Sequence, residues 1–454
     1  MDDYRRIADR VAEEIAAGVL RPGDRLPPQR AFARRSRIAV STAGRVYGEL
    51  VRRGLVVGEV GRGTFVRASP VPSGRQLTEP TGLAPVNLEL NYPVAPGQSE
   101  LLAAGLAPLL RPDVLDLATR TAPAAGTAQA REAVAGLLAD GEWQPEPRQL
   151  LFAGNARQAI AGALSALGAH GRPGSGAGAR IGVEQLTYPL VKEIAERLGI
   201  VLVPVAMDGE GLRPDALATA HRSAPLSGLY VQPTLHNPTS VTASAGRRRE
   251  LAAVVRNLDL PVVEDRIWAF LHEDEQPPLA AYAPERTFVV DGLSKRIAPG
   301  LTAGLLVTPA SPDPCVPPVE EVASVLRSGG WTASRFALEA TVRWLADGTV
   351  DRLVEAKRTD AARRQALVAR ELRDFTVRTD PHAYYAWWEL PEPWRADRFV
   401  GAAAARGIAV TPGQAFAVGP QSAPDAVRLG LASTPPPALK AALSALAEVA
   451  RTGR

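Results

Sequence analysis

The sequence predicts a multidomain protein: a small, mainly α module that closes on a β-hairpin, followed by a large α/β body built on a mainly parallel sheet. Three observations predict it. Helical periods fill the N-terminal stretch and give way to two short strands. From about residue 148, short apolar runs alternate with helical stretches, the pattern of a sheet covered on both faces. The 454 residues, 46% of them hydrophobic, supply core for two or three domains.

The first module reads as follows. Tyr4 to Ala17 is helical, with Ile7, Val11 and Ile15 recurring every fourth residue, and Gly18 ends it. Arg21-Pro22-Gly23-Asp24 is a turn. A second short helix fits Pro28 to Arg35, Ser36 to Ala39 is the next turn, and a third helix runs from Val40 to Arg53 and stops at Gly54. Two strands follow, Leu55–Val60 and Thr64–Arg67, joined by Gly61-Arg62-Gly63 with one cation at the tip. Three helices and a hairpin describe a winged helix-turn-helix, which lays its third helix in the major groove. Val40, Ser41, Thr42 and Arg45 would then meet base edges. Arg62 would reach the backbone or minor groove, and Arg30 and Arg37 would grip phosphates. Residues 1–67 hold 14 arginines against 8 acids, whereas the remainder holds 38 basic and 40 acidic residues. Such a concentration suits double-stranded DNA, although an arginine-rich solvated surface would look the same by charge alone. Residues 68–82, rich in Pro, Ser, Gly and Thr, form a linker.

The body spans 83–454, with a large part at about 110–325 and a smaller α+β part at about 326–454. Strands are expected at Leu150–Ala153, Ile181–Glu184, Val201–Val205, Gly228–Val231, Val262–Glu264, Thr287–Val290 and Leu305–Thr308. Helices are expected at 156–168, 189–198 and 244–257. Ligands of such sheets bind beyond the carboxyl ends of the strands. The glycine-rich segment 171–179 lacks the GxxxxGK[ST] spacing and reads as a loop, not a phosphate cradle. The smaller part adds strands at Asp374–Arg378, Tyr384–Leu390, Ile408–Thr411 and Ala426–Leu431.

The chemistry centres on Lys295. Three of the four lysines (Lys192, Lys357 and Lys440) lie in polar, helix-like stretches. Lys295 instead follows the apolar run 287–290 and precedes Pro299-Gly300, so its amine is held firmly and partly desolvated. Desolvation lowers an ammonium's pKa, as condensation with an aldehyde requires. Other strand ends carry what a pyridoxal phosphate site needs. Asp265 would keep the ring nitrogen protonated. Asn237, in His236-Asn237-Pro238-Thr239, would bond the phenolic oxygen, and Tyr188 would stack on the ring. Asn155-Ala156 opens a helix whose free N–H groups suit a phosphate, and Ser294 would add a hydroxyl. Arg428, on a short strand, suits a bidentate clasp on an effector carboxylate. Singly, each has an ordinary structural reading; together, each at a strand end, they make a constellation.

The stretch LPPQRAFARRSRIAVSTAGRVYGELVRRGLVVGEVGRGTFV resembles the DNA-binding domain of the GntR family. It departs at Ala39, where a Ser cap is usual, and at Gly44 inside the recognition helix. Residues 83–454 resemble the fold-type I aminotransferases, and the combination resembles the MocR subgroup of GntR regulators. The resemblance implies a cytoplasmic bacterial transcription factor with the PLP-dependent transferase-like fold, holding pyridoxal 5'-phosphate. It also implies a homodimer in which one chain's DNA-binding unit rests on the other's large domain. Two departures bear on chemistry. Trp268 stands where aminotransferases carry a Tyr, and Thr302 stands where an Arg would grip the phosphate; Arg296 or Arg157 would have to compensate. The function expected is a regulator that senses an amine or amino acid by exchange at Lys295. The alternative is an aminotransferase, acting between an amino acid and a 2-oxo acid, with an accessory DNA-binding arm.

Other classes find no support in the sequence. No apolar run is long enough to span a membrane, and the start is not a signal peptide. Cys315 has no cysteine partner, consistent with a reducing cytoplasm. The five histidines (170, 221, 236, 272 and 382) show no ligand spacing, so no metal is expected, and His236 reads as a turn residue.

Overall fold

The computed structural model describes residues 3–16, 19–20, 24–52, 55–59, 63–66, 84–141, 143–170, 178–272, 277–309, 313, 315–419 and 424–452. The N-terminal module holds α1 (Asp3–Ala16), α2 (Gln29–Ser36) and α3 (Val40–Arg52). On α3 the residues Ala43, Val46, Tyr47 and Leu50 follow the i, i+3, i+4, i+7 rule and are buried against Ala8, Val11 and Phe32. The Phe32 and Tyr47 rings meet edge to face at 5.2 Å. The hairpin β2 (Val56–Glu59) and β3 (Gly63–Val66) pairs antiparallel, and β1 (Arg25–Leu26) joins it on the far side of β3. A two-residue strand carries no period, so sequence alone gives no sign of β1.

In the body, β4 (Val86–Asn87) comes first, and then β5 (Leu150–Ala153), β6 (Arg180–Glu184) and β7 (Val201–Val205). A small hairpin, β8 (Met207–Asp208) and β9 (Gly211–Leu212), precedes β10 (Gly228–Val231), β11 (Val262–Asp265), β12 (Thr287–Gly292) and β13 (Gly304–Val307). The main sheet is seven-stranded, in the order β5-β13-β12-β11-β10-β6-β7, and β13 runs antiparallel to both its neighbours. Its inner strands β10 to β13 are buried throughout because both faces are covered, whereas the edge strand β7 is only half-buried. Leu151, Ala153, Phe288, Val290 and Leu306 pack with the helix Ala156–His170 on one side. The alternate residues Leu150, Phe152, Val289, Leu305 and Val307 pack with the helices Ala128–Leu138 and Arg335–Ala346 on the other. Helix Arg335–Ala346 therefore belongs to the large lobe's core, although the sequence reading set that lobe's end at about 325.

The small lobe is a four-stranded sheet, β14 (Val377–Arg378), β15 (Tyr385–Glu389), β18 (Ala426–Gly430) and β17 (Thr411–Pro412). It is backed by the helices Ala396–Ala405 and Pro436–Thr452 around Trp388, Phe399 and Leu439. The strand expected at Ile408–Thr411 divides in two. Its first half, β16 (Ile408–Ala409), pairs in parallel with β4, and its second half joins β18. The cause lies more than three hundred residues upstream, at Val86 and Asn87. The long helix Thr349–Glu371 joins the lobes, with Leu353 in the large core and Val368 in the small one. Among the described residues no helix is long and apolar enough to cross a membrane.

Candidate functional site

On the N-terminal module, Arg30, Arg37, Val40, Ser41 and Arg45 are exposed and Thr42 is half-buried. They lie on α2, its end and the first turns of α3. Val40 is 49% exposed, an apolar side chain of the kind that meets a thymine methyl. Arg37 takes a left-handed conformation at the end of α2, φ 51°, and closes the turn into α3. Arg62 lies outside the described residues. Sequence reading overlooked Arg25, whose Nε stands 2.7 Å from where a side-chain carbon on Gly63 would sit, at the base of the wing.

In the body, β12 runs directly into a four-residue helix, Leu293–Arg296, which carries half-buried Ser294 and Lys295. The Lys295 Nζ donates to the Asn91 carbonyl at 2.7 Å. It lies 4.4 Å from the Tyr92 ring and 5.0 Å from the Trp268 ring. Burial lowers its pKa to about 7, and the charges of Arg428, Arg157 and Lys357 act in the same direction.

Asp265 ends β11 and is 2% exposed. Its Oδ2 accepts from the Tyr230 hydroxyl at 2.6 Å and from Gln232 Nε2 at 2.9 Å, and its Oδ1 accepts from the Ile267 N–H at 3.0 Å. Burial pushes its pKa up to about 6 against the pull of these donors. Tyr230 and Gln232 went unremarked in the sequence; the signal was a polar residue one step past an apolar strand. Gln232 also accepts from the Asn237 N–H at 3.4 Å, tying the two predicted residues into one network. His236 is a buried turn residue, held by Thr239 Oγ1 at 2.7 Å and the Leu186 carbonyl at 2.9 Å. Tyr188 precedes the helix Pro189–Arg197; burial raises its pKa, and Arg157, Asp265, Tyr92 and Arg428 all lie within electrostatic reach of it.

The Asn155 side chain caps the helix Ala156–His170, accepting from Gln158 N–H at 3.1 Å. Gly304 allows this helix end to press onto β13: a side-chain carbon there would stand 2.2 Å from the Asn155 oxygen. Thr302, two residues earlier, is therefore a neighbour of the helix start. Of the two arginines named for its place, Arg296 is engaged by buried Asp291 and lies over the Phe270 ring at 5.1 Å. It faces a cavity of about 610 Å³ whose walls include neither Lys295 nor Asn155. Arg157 is exposed, and among the described residues no hydrogen bond or salt bridge engages its side chain.

Residues 84–97 form a strap that sequence analysis left without a role. Leu88 bonds to Ala409 and Gly430, and Gly430 must lack a side chain because the Leu90 oxygen lies 2.5 Å from where one would begin. The strap then gives the Asn91 carbonyl to Lys295 and the Glu89 carbonyl to Arg428 Nη2 at 2.7 Å. Arg428 is 5% exposed, and burial lowers its pKa to about 10. Asn237 Oδ1, Asn91 Nδ2, Thr187 Oγ1 and Arg428 Nε are buried and have no protein partner. Such atoms are costly unless a ligand or water meets them. An amide at 237, a buried acid at 265 and a depressed amine at 295 fit a planar, polar aldehyde cofactor.

The fold also brings together two histidines that sequence spacing kept apart. His272 and His382 have ring centroids 5.5 Å apart, and with Asp380 they offer ligand atoms within 4.8 Å of one another. Asp380 Oδ1 also accepts the His382 backbone N–H at 2.8 Å and lies 3.1 Å from its Nδ1.

Fold and site together define a DNA-reading module fused to an aminotransferase-type body. Residues 116–446 match the family described as aminotransferase class I and II, and residues 3–66 match the bacterial regulatory proteins of the gntR family. The chain belongs to the class I and II aminotransferase family, in the MocR-type fusion with a GntR helix-turn-helix. It is 29% identical to the uncharacterized HTH-type transcriptional regulator YdeF of Bacillus subtilis, over 94% of this chain and 90% of that one. It is 28% identical to the HTH-type pyridoxine biosynthesis transcriptional regulator PdxR of Corynebacterium glutamicum, over 81% and 78%. In structure it is similar to the kynurenine aminotransferase of Pyrococcus horikoshii, TM-score 0.71 at 20% identity, covering 85% of this chain and 95% of that one.

Proposed function

We propose that this protein is a transcription regulator that binds double-stranded DNA through α3, holds pyridoxal 5'-phosphate at Lys295 and responds to an amine or amino acid. The observation that carries the cofactor reading is the unpaired Asn237 amide oxygen beside the Gln232–Asp265 network, in a chain whose Lys295 amine is lowered by burial to about 7. When bound, the cofactor supplies an electrophilic aldehyde on an electron-withdrawing ring. Asp265 holds the proton on the ring nitrogen, and Asn237 meets the phenolic oxygen; the amide's O and N assignment follows the partner it finds. Tyr188 offers its ring for stacking. The first N–H groups of the helix Ala156–His170, the Ser294 hydroxyl and the Arg157 guanidinium take the phosphate, so that Arg157 supplies the charge missing at Thr302.

Arg428 takes the effector's carboxylate in exchange for the Glu89 carbonyl, and the strap carries that change toward the linker and the DNA-binding module. Coupling between such sites typically amounts to about 1–3 kcal/mol. Trp268 provides neither acid nor base at the place where an aminotransferase has a phenol, which favours a sensor over a rapid catalyst. PdxR, whose name refers to pyridoxine biosynthesis, supports a link to vitamin B6 chemistry. A homodimer is part of the proposal, and Val94, Leu110 and Leu117, 59%, 64% and 43% exposed, offer apolar surface for it. The test is the visible absorbance band of lysine-bound pyridoxal phosphate, present in the wild type and absent in Lys295→Ala, beside a gel shift on the DNA upstream of the gene with and without the cofactor. A wild type that binds no pyridoxal phosphate overturns the sensor. Turnover of an amino acid with a 2-oxo acid would favour the aminotransferase instead.

A further inference from the structure

Lys357, an ordinary helix cation by sequence, is wholly buried on the helix Thr349–Glu371. Its Nζ donates to three successive main-chain carbonyls, those of Lys295 at 2.9 Å, Arg296 at 2.9 Å and Ile297 at 2.6 Å. These carbonyls close the short helix that presents Lys295. The backbone leaves helical geometry at Ile297, φ −108° and ψ −92°, so the helix cannot continue and satisfy them. A cation at a helix carboxyl end meets orphan carbonyls and the negative end of the dipole together.

The count of hydrogens decides the protonation state. An ammonium has three donors, one for each carbonyl, whereas a neutral amine has two and would leave one buried oxygen short. Burial alone pulls Lys357 down to about 7, and the three carbonyls favour the charged form. Among the described residues no carboxylate pairs with it. Asp360, one turn away, is held by Arg364 at 2.6 Å and by the Tyr384 hydroxyl at 3.0 Å, and Arg296 is held by Asp291. Tyr384 also donates to Lys357's own carbonyl at 2.8 Å.

We propose that Lys357 is a positioning residue for Lys295: its ammonium clamps the 295–297 backbone, directs the Lys295 amine toward Tyr92 and Trp268, and keeps that amine neutral by charge repulsion. This rests on the reading of Lys295 as the cofactor-bearing amine, but it is a property of the cofactor-free chain and can be tested there. Arg428 and Arg157 act on Lys295 in the same direction, and the buried acid Asp265 lies near them; all three stay in place in the variants.

The chain has four lysines, so full-length, cofactor-free protein labelled with 13C at the lysine ε carbon gives four signals, each assignable by a Lys→Arg variant. In the wild type, Lys357 should titrate above Lys295. In Lys357→Met, Lys295 should titrate higher by about half a unit or more, the loss of one nearby cation. Lys357→Arg should restore the wild-type value, which a purely structural role would not require. Lys192, on another helix, is the internal control. An unmoved Lys295 titration in folded Lys357→Met overturns the proposal, as does a wild-type Lys357 that titrates below Lys295; the second result decides the matter should the Met variant fail to fold. Addition of pyridoxal phosphate to the wild type tests the cofactor reading separately.

Discussion

The Lys295 amine and the Asn91 carbonyl share a hydrogen bond of 2.7 Å, across more than two hundred residues of sequence. An aldehyde joined to Lys295 would leave its nitrogen at most one hydrogen, so the Asn91 carbonyl and the cofactor would compete for it. The strap that supplies the carbonyl also gives the Glu89 carbonyl to Arg428, so the two cations of the site share one segment of backbone.

Attachment of pyridoxal phosphate should slow in acid. Lys295 is neutral, and therefore nucleophilic, above about pH 7, and below that value the neutral fraction falls about tenfold per unit. Stopped-flow absorbance of cofactor addition to the cofactor-free protein should show this slope. A rate that stays flat down to pH 5 is incompatible with the lowered amine pKa.

Tyr230→Phe should move the acid limb of cofactor affinity upward. The Tyr230 hydroxyl bonds the Asp265 carboxylate and lowers its pKa, so removing it raises that pKa beyond about 6. A hydrogen bond to a charged group is worth roughly 1.5–3 kcal/mol, enough for a shift of about one unit. Equilibrium titrations of the cofactor at several pH values measure it.

Arg157→Ala should weaken pyridoxal phosphate about tenfold while leaving pyridoxal, which lacks the phosphate, unaffected. Thr302→Arg should tighten the phosphorylated form, restoring a cation beside the helix start that Gly304 brings close. Equal losses for both ligands in Arg157→Ala would show that this arginine does not serve the phosphate.

Arg45→Ala should cost about 1–3 kcal/mol of operator affinity with the fold intact. Gly44→Ala should instead stabilise α3 by about 0.5–1 kcal/mol. The nearest atom to an added side-chain carbon is Gln29 Oε1 at 3.6 Å, an ordinary contact. Fluorescence anisotropy on operator DNA and thermal melting of the full chain separate the two effects.

Much of the body was legible from local pattern. Each strand of the main sheet lies within a residue or two of its apolar run, because the buried middle of a strand admits only apolar residues and polar ones mark where it ends. The acids, amides and the lysine that follow those runs could be picked out because the carboxyl ends of parallel strands converge on one edge. The strap was silent: its only strand is two residues long, and its groups at the site are main-chain carbonyls, which every residue has. The histidine pair His272 and His382 was hidden because its members come from different lobes.

What the sequence determined by itself was a DNA-reading head, the order of strands and helices, and the residue types that end each strand, since these follow from periodicity over a few turns. What only the tertiary structure decided was partnership. Arg296 turned to Asp291, leaving Arg157 as the exposed cation at the helix start. Lys357 turned inward to three carbonyls, and Asn91 came to lie over Lys295. A charged side chain is written the same way whether it meets water or a buried oxygen; packing across long separations decides which, because burial makes an unmet polar group costly and so fixes the partner.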